Sequence, residues 1–223
     1  MFHRSKIPIK DNGEKLEVLS PQEFIIKPAY FEMGISDTKV MKLRSGTIDR
    51  LRIAKKNLRK IKGCEKWNFK IWDGFRPVKV QKRLCDGLAN SLKKEHPSWS
   101  AKQIQKEVSE FLAFPSLDPN FPAPHNTGGT VDLTIVDGKG NEIPMGTGFD
   151  DFTRKSHSNY FAKSGSKEKS APIFHKNRML FKKIMENVGF VNAPTEWWHF
   201  CCGTQEWARK THKKYAIYGS AEF

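Results

Sequence analysis

The sequence predicts an α+β fold: a single domain with a central antiparallel sheet flanked by helices. Three observations carry that expectation. Apolar residues recur at helical spacing in four separate stretches, short alternating segments around residues 67–71 and 131–135 have the pattern of half-buried strands, and helices and strands come in blocks rather than in strict strand–helix alternation. At 223 residues the chain can bury one sizeable core, or at most two small ones. Neither a repeat nor a long linker divides it, so residues 1–223 are expected to form one domain.

Taken in order, residues 48–62 place Ile48, Leu51, Ala54, Leu58 and Ile61 on one helical face, with cations on the others. Trp67–Ile71 alternates as a strand and ends at the turn signal Asp73-Gly74. After Pro77, the four-residue spacing of Val80, Leu84, Leu88 and Leu92 predicts a second helix. Ser100 with Gln103 forms a capping box for a third, whose stripe is Ile104, Val108, Phe111 and Leu112. Residues 115–129, rich in Pro, Asn, Asp and Gly, read as a loop. Val131, Leu133 and Ile135 then alternate with polar residues, and Asp137-Gly138 and Gly140-Asn141 predict a hairpin into Glu142–Met145. Residues 146–170 form a second loop with Phe149 and Phe152 as anchors. A last helix spans about 172–188 and is capped by Gly189, and Phe190–Val191 and Trp197–Cys201 are expected as strands.

Composition narrows the function classes. With 38% hydrophobic and 12% aromatic residues the chain is globular, and no window holds the roughly 18 consecutive apolar residues of a membrane span. Met1-Phe2-His3-Arg4-Ser5-Lys6 has no apolar run behind it, so no Sec-type signal is expected and the cytoplasm is the expected location. Cys64, Cys85, Cys201 and Cys202 have neither CxxC spacing nor a disulfide framework, and are expected to be buried side chains rather than metal ligands. The formal charge is +15, concentrated in residues 42–66 and 154–183. Either solvated helix faces or an anion-binding surface fits that charge. No helix-turn-helix, RNP or zinc-finger pattern is present, so no specific nucleic-acid partner is expected.

Three clusters can carry chemistry. In Asp73-Gly74-Phe75-Arg76-Pro77, Arg76 is a fixed cation at a turn, suited either to an oxyanion or to an ordinary pair with Asp73. His125, in a loop, and Asp132, on the following strand, can converge on one ion, since zinc accepts imidazole nitrogen and carboxylate oxygen. Glu196-Trp197-Trp198-His199 sets a carboxylate three residues before a histidine in an apolar setting, which fits a structural cluster or a recessed site. On a regular strand those two side chains would point to opposite faces, so sharing a site requires Glu196 to precede the strand or a turn to intervene.

Together, DGFRP, HNTGGTVDLT and EWWHF resemble the zinc-dependent D-alanyl-D-alanine dipeptidases of the VanX type. These belong to a wider group of peptidoglycan D,D-peptidases sharing a metal-site fold with hedgehog domains. The resemblance runs from about Trp67 to Phe200. It implies one zinc on His125, Asp132 and His199, Glu196 as general base and later proton donor, and Arg76 stabilising the anionic intermediate. It also implies a small dipeptide as substrate, with Asp150 facing its ammonium group and Asp73 and Trp197 among the substrate-facing residues. The chain departs from the family pattern S-x-H-x-x-G-x-A-x-D by carrying Ala123 and Thr130. Loss of a side-chain donor at 123 is expected to change discrimination between close analogues by about 1–3 kcal/mol. A peptidoglycan D,D-carboxypeptidase or L,D-endopeptidase would use the same zinc site. A non-catalytic, zinc-stabilised basic binding module would have no need of Glu196.

Overall fold

Strand β5 (Thr130–Val136) organises the molecule, because all seven of its residues are buried. Its Val131, Leu133 and Ile135 point into the main core, and the alternate positions carry Thr130, Asp132 and Thr134. The computed structural model describes residues 7–162 and 168–222. The expectation for Met1–Lys6, and the part of the second loop at 163–167, lie outside the described residues.

In chain order the elements are β1 (Leu16–Val18), β2 (Ile25–Ile26), α1 (Ala29–Glu32), β3 (Lys42–Arg44), α2 (Ser45–Arg59), β4 (Asn68–Asp73), α3 (Val78–Glu95), α4 (Ala101–Phe111), β5, α5 (Ala171–Glu186), β6 (Val191–Asn192), β7 (His199–Cys201) and α6 (Gln205–Lys210). The mixed α+β architecture and the four long helices follow the expectation. Both partners of the capping box at Ser100 and Gln103 are bonded. Gly189, just past α5, has φ 89°, the left-handed conformation expected of a helix-ending glycine.

The five-stranded sheet has the order β2-β4-β5-β7-β6. Its four-strand body is antiparallel, but β2 adds to β4 in parallel, so the sheet is mixed at one edge. That edge, the separate β1–β3 pair and α1 come from residues before 45, where short two- to four-residue elements leave no periodicity to detect. Two expected strands are shorter. The 137–141 turn closes the hairpin with a single bridge, Val136 to Glu142, and β7 starts at His199 because Trp197 and Trp198 lie in a turn.

Two apolar clusters result. The larger packs α2 and α5 on the sheet through Leu51, Leu58, Phe69, Ile71, Leu133, Phe181 and Phe200; each such side chain contributes about 1.5–3 kcal/mol by leaving water. The smaller joins α1, α3 and α4 through Tyr30, Leu84, Ile104, Val108 and Leu112. Phe149 touches both: its ring stacks on Trp72 at 4.9 Å and lies 5.8 Å from Tyr30. Phe152, the second expected anchor, lies 5.4 Å from Phe111.

The basic stretches are less free than their charge suggests. Arg44 is buried and bonds the carbonyls of Glu14 and Thr127, while Arg52 pairs with Glu23 and Asp49. Arg178 is buried on the carbonyls of Met145, Lys155 and His157. The four cysteines are buried free thiols.

Candidate metal centre

Register brings the chemistry together. On β5, Asp132 is paired with His199 of β7 on one side and Asp73 of β4 on the other. Regular pairing would set Trp72 opposite Asp132; an irregularity between Ile71 and Asp73 adds one residue, so Asp73 takes that place instead. One bulge therefore puts a second carboxylate on the same face.

His125 arrives on a short 3-10 turn, Pro124–Thr127, that ends at Gly128 with φ 71°. The left-handed conformation favours glycine at 128, and a Cβ there would also push the Leu16 side chain aside from 2.4 Å. The turn is fastened on several sides: Arg44 donates from its backbone to Gly128 and from Nε to Thr127, the Asn126 amide donates to the Arg76 carbonyl, and the Ala221 amide donates to Asn126. His125 Nδ1 lies 2.8 Å from the Gly74 carbonyl. Donation of its proton there leaves Nε2 with a lone pair turned toward Asp132.

Glu196 and His199 share the site because a turn intervenes. The His199 amide donates to the Glu196 carbonyl across residues 196–199, and regular pairing begins only at His199. The turn is held from behind by Asn192, whose Nδ2 donates to the carbonyls of Glu196 (3.1 Å) and His199 (3.0 Å) and, at 3.4 Å, of Trp197. Ser158 donates to Asn192 Oδ1 and orients the amide.

Three residues form a tight triangle. His125 Nε2 lies 3.2 Å from Asp132 Oδ2, His199 Nδ1 lies 3.1 Å from Asp132 Oδ1, and the two ring nitrogens are 3.4 Å apart. A tetrahedral ion with bonds of about 2.0–2.1 Å needs ligand atoms about 3.3–3.4 Å apart. The two ring nitrogens meet that spacing, each histidine faces a different oxygen of Asp132, and one donor atom from each residue lies within 4.8 Å of the others, so the donor set suits zinc. This is the one such group of three among the described residues, and all three members are buried. The cysteines take no part in it.

Around the triangle, Glu196 Oε2 lies 3.4 Å from His199 Nδ1. Burial, reinforced by the charges of Asp132 and Asp150, raises the Glu196 carboxyl well above the usual range. Burial also pushes Asp132 upward, but the adjacent His125 and His199 outweigh it and hold the group below its ordinary value. Arg76, itself buried, donates from Nε and Nη2 to Asp73 Oδ2 and stands 3.6 Å from Asp132. Burial opposes its charge; Tyr30, Asp73, Asp132 and Asp150 together raise its pKa.

Asp150 lines the same pocket from the 146–162 loop, with burial and the charge of Asp132 raising its carboxyl to about 7. The Tyr30 hydroxyl donates to Asp150 at 3.3 Å and receives a bond from Arg76 Nη2 at 3.3 Å. Of the remaining expected residues, Asp73 is engaged by Arg76 and by His125 Nδ1 at 3.1 Å. Trp197 does not line the pocket; its Nε1 donates to Thr147, and Trp198 faces the site instead. Ala123 and Thr130 are both buried, Ala123 just before the His125 turn.

Sequence reasoning missed Tyr30, Gln81 and Asn192. Tyr30 reaches the site from 46 residues before Arg76, and nothing local marks it. Asn192 had a detectable signal, a lone amide in the apolar run Phe190-Val191-Asn192-Ala193.

The D-ala-D-ala dipeptidase model of peptidase family M15 matches residues 50–217, which span every residue of the triangle, Arg76 and Glu196. The chain belongs to this family. It is thereby a metallopeptidase of the dipeptidase kind. A D-alanyl-D-alanine dipeptidase of Synechocystis sp. is 30% identical over 240 residues, covering 97% of this chain and 95% of the relative. Another, from Escherichia coli, is 36% identical over 130 residues, covering 58% of this chain and 52% of its own length. Among solved structures, a vancomycin-resistance D,D-pentapeptidase VanY variant in complex with Zn(II) superposes with a TM-score of 0.51 at 14% identity, covering 94% of this chain and 90% of that one. VanYB in complex with D-alanine-D-alanine superposes with the same score at 16% identity, covering 92% and 86%. These likenesses establish the shared fold. No helix among the described residues is long and apolar enough to cross a membrane.

Proposed function

We propose that the whole chain, residues 1–223, works as one zinc dipeptidase domain that hydrolyses D-Ala-D-Ala or a related free dipeptide. The observation that carries this reading is the His125–Asp132–His199 triangle with the Glu196 carboxylate beside it in one buried pocket. The relatives' D-alanyl-D-alanine dipeptidase names and the Zn(II) and D-alanine-D-alanine complexes of the VanY structures support the choice of metal and substrate. A zinc ion held by His125, Asp132 and His199 would act as a Lewis acid and make water a nucleophile at neutral pH.

The chain's own residues would do the rest. Glu196, made more basic by its burial, takes the proton of the attacking water and returns it to the leaving amine. Arg76, locked by Asp73, supplies a fixed positive charge for the oxyanion that develops on the scissile carbonyl. Asp150, held by Tyr30, faces the pocket and suits the dipeptide's ammonium group. We assign Asp73 to holding Arg76 and His125 rather than to direct substrate contact, and Trp197 to backing the loop through Thr147. A cytoplasmic place of action is part of this reading, and cell fractionation tests it.

The burial of the candidate ligands and the small size of the pocket favour a small substrate. Asp150, Phe111, Leu112 and Ala113 line the pocket beside the candidate metal ligands, which suits a free dipeptide better than a polymer strand. The test is incubation of chelated and zinc-reloaded protein with D-Ala-D-Ala, other dipeptides and intact muropeptides. Zinc-dependent release of free amino acids from dipeptides is the expected result. Cleavage of muropeptides alone would move the assignment to a carboxypeptidase or endopeptidase. Salt-sensitive nucleic-acid binding without any hydrolysis would move it to a binding module.

A further inference from the structure

We infer that Gln81 is a positioning residue that ties the orientation of Arg76 to the wall of the pocket, so that catalysis and substrate size selection pass through one buried amide. The inference rests on the dipeptidase reading and names a residue that reading does not use. Gln81 is 2% exposed on the first turn of α3 and lines the pocket. Its Oε1 accepts from Arg76 Nη1 at 2.9 Å, and its Nε2 donates to the Ala113 carbonyl at 2.7 Å.

The amide can adopt only one orientation. Flipped, it would set its NH2 against the guanidinium and its oxygen against the Ala113 carbonyl. An uncharged buried amide is costly unless both ends are bonded, and here each end is bonded to a different part of the site. Asp73 receives Nε and Nη2, Tyr30 receives Nη2, and Gln81 is the partner of Nη1, so all three guanidinium nitrogens are held. Ala113 follows the end of α4 with no regular structure of its own, and Cys85 Sγ adds only a 3.6 Å contact to the same carbonyl. Gln81 is thus the strong tether of the wall that faces the substrate.

Gln81→Met keeps the length and removes both bonds, whereas Gln81→Glu keeps an acceptor for Arg76 and loses the donor to Ala113. Because Arg76 acts on charge that exists only in the transition state, Gln81→Met should lower kcat for D-Ala-D-Ala by roughly tenfold to a hundredfold. It should also raise KM and narrow the preference for D-Ala-D-Ala over a dipeptide with a bulkier C-terminal D-residue. Gln81→Glu should restore most of kcat while KM stays raised and size preference stays relaxed. A merely structural role would lower thermal stability and the active fraction of both variants alike, leaving the kcat and KM of the folded fraction unchanged, and that outcome overturns the inference. The 15N–1H signals of the Arg76 guanidinium give a readout independent of turnover: they should change in Gln81→Met and be largely retained in Gln81→Glu. If the wild type cleaves no dipeptide, the dipeptidase reading falls, and unchanged Arg76 signals in Gln81→Met would separately overturn the role of Gln81.

Discussion

Replacing Asn192 with alanine tests whether the Glu196–His199 turn is held by a side chain or by its own backbone. Asn192 is buried and donates to the carbonyls of Glu196 and His199 at 3.1 and 3.0 Å, with a weaker approach to Trp197. Both main acceptors keep one backbone partner in the variant, since Glu196 still receives the His199 amide and His199 the Ala193 amide. Ser158 can still donate to the Ala193 carbonyl at 3.1 Å. The full penalty of an unsatisfied buried carbonyl is therefore avoided, and the loss is about 1 kcal/mol for each of two or three bonds, or about 2–3 kcal/mol in all. Urea unfolding of the metal-free protein measures it, with an unchanged m-value as the control for the unfolded state. The same variant should bind zinc about 10- to 100-fold more weakly in calorimetric titration, because the turn that aims His199 has lost its outer support. A stability change below about 0.5 kcal/mol, with zinc affinity intact, would refute the reasoning, since a loss that small lies within the range of ordinary surface substitutions.

Other outcomes follow from the same geometry. Glu196→Gln should retain one zinc per chain by elemental analysis and lose hydrolysis by about 10²–10⁴-fold; normal turnover would remove Glu196 from the base role. His199→Ala should lose its zinc, and full occupancy would exclude it as a ligand. In the metal-free protein Asp150 has a folded pKa near 7 against an unfolded value near 3.8, so the unfolded state releases this proton first. Stability from this group is fully present below about pH 4 and declines as pH rises through 7, by at most about 4 kcal/mol. Asp150→Asn should therefore flatten that part of the stability–pH curve, and identical slopes in chemical denaturation would contradict it. Phe149→Ala should cost about 3 kcal/mol, read by thermal or urea unfolding, through loss of its stack on Trp72 and its contacts in both apolar clusters.

The helices and the body of the sheet were legible because their signals are local. The four-residue rhythm from Val80 to Leu92, the Ser100/Gln103 box and the alternation around Leu133 each state their structure within one window. Residues before 45 were not legible, since two- and three-residue strands such as β2 are defined by their neighbour in the sheet rather than by their own pattern. The candidate site divides the same way. His125, Asp132, Glu196, His199 and Arg76 sit in compact motifs that are ambiguous singly and specific only as a set, through their resemblance to a known family, and the structure gathers them in one pocket. What escaped were the residues that hold them: Tyr30, Gln81 and Asn192 act across 46, 5 and 4–7 positions through polar contacts that become visible only when the chain is folded. The bulge that turns Asp73 toward Asp132 is likewise a property of pairing between strands, and no single strand encodes it.

The division of the apolar interior into two clusters has a practical corollary for anyone wishing to retool this protein. The strands that carry Asp132 and His199 belong to the larger cluster, whereas Tyr30 and Leu112, which also line the pocket, belong to the smaller one. A mutant library confined to α1, the end of α4 and the facing turn of α3 would thus vary the shape offered to a ligand while leaving the foundation beneath His125, Asp132 and His199 in place. Phe149, which packs against both clusters, is the position such a library should leave untouched.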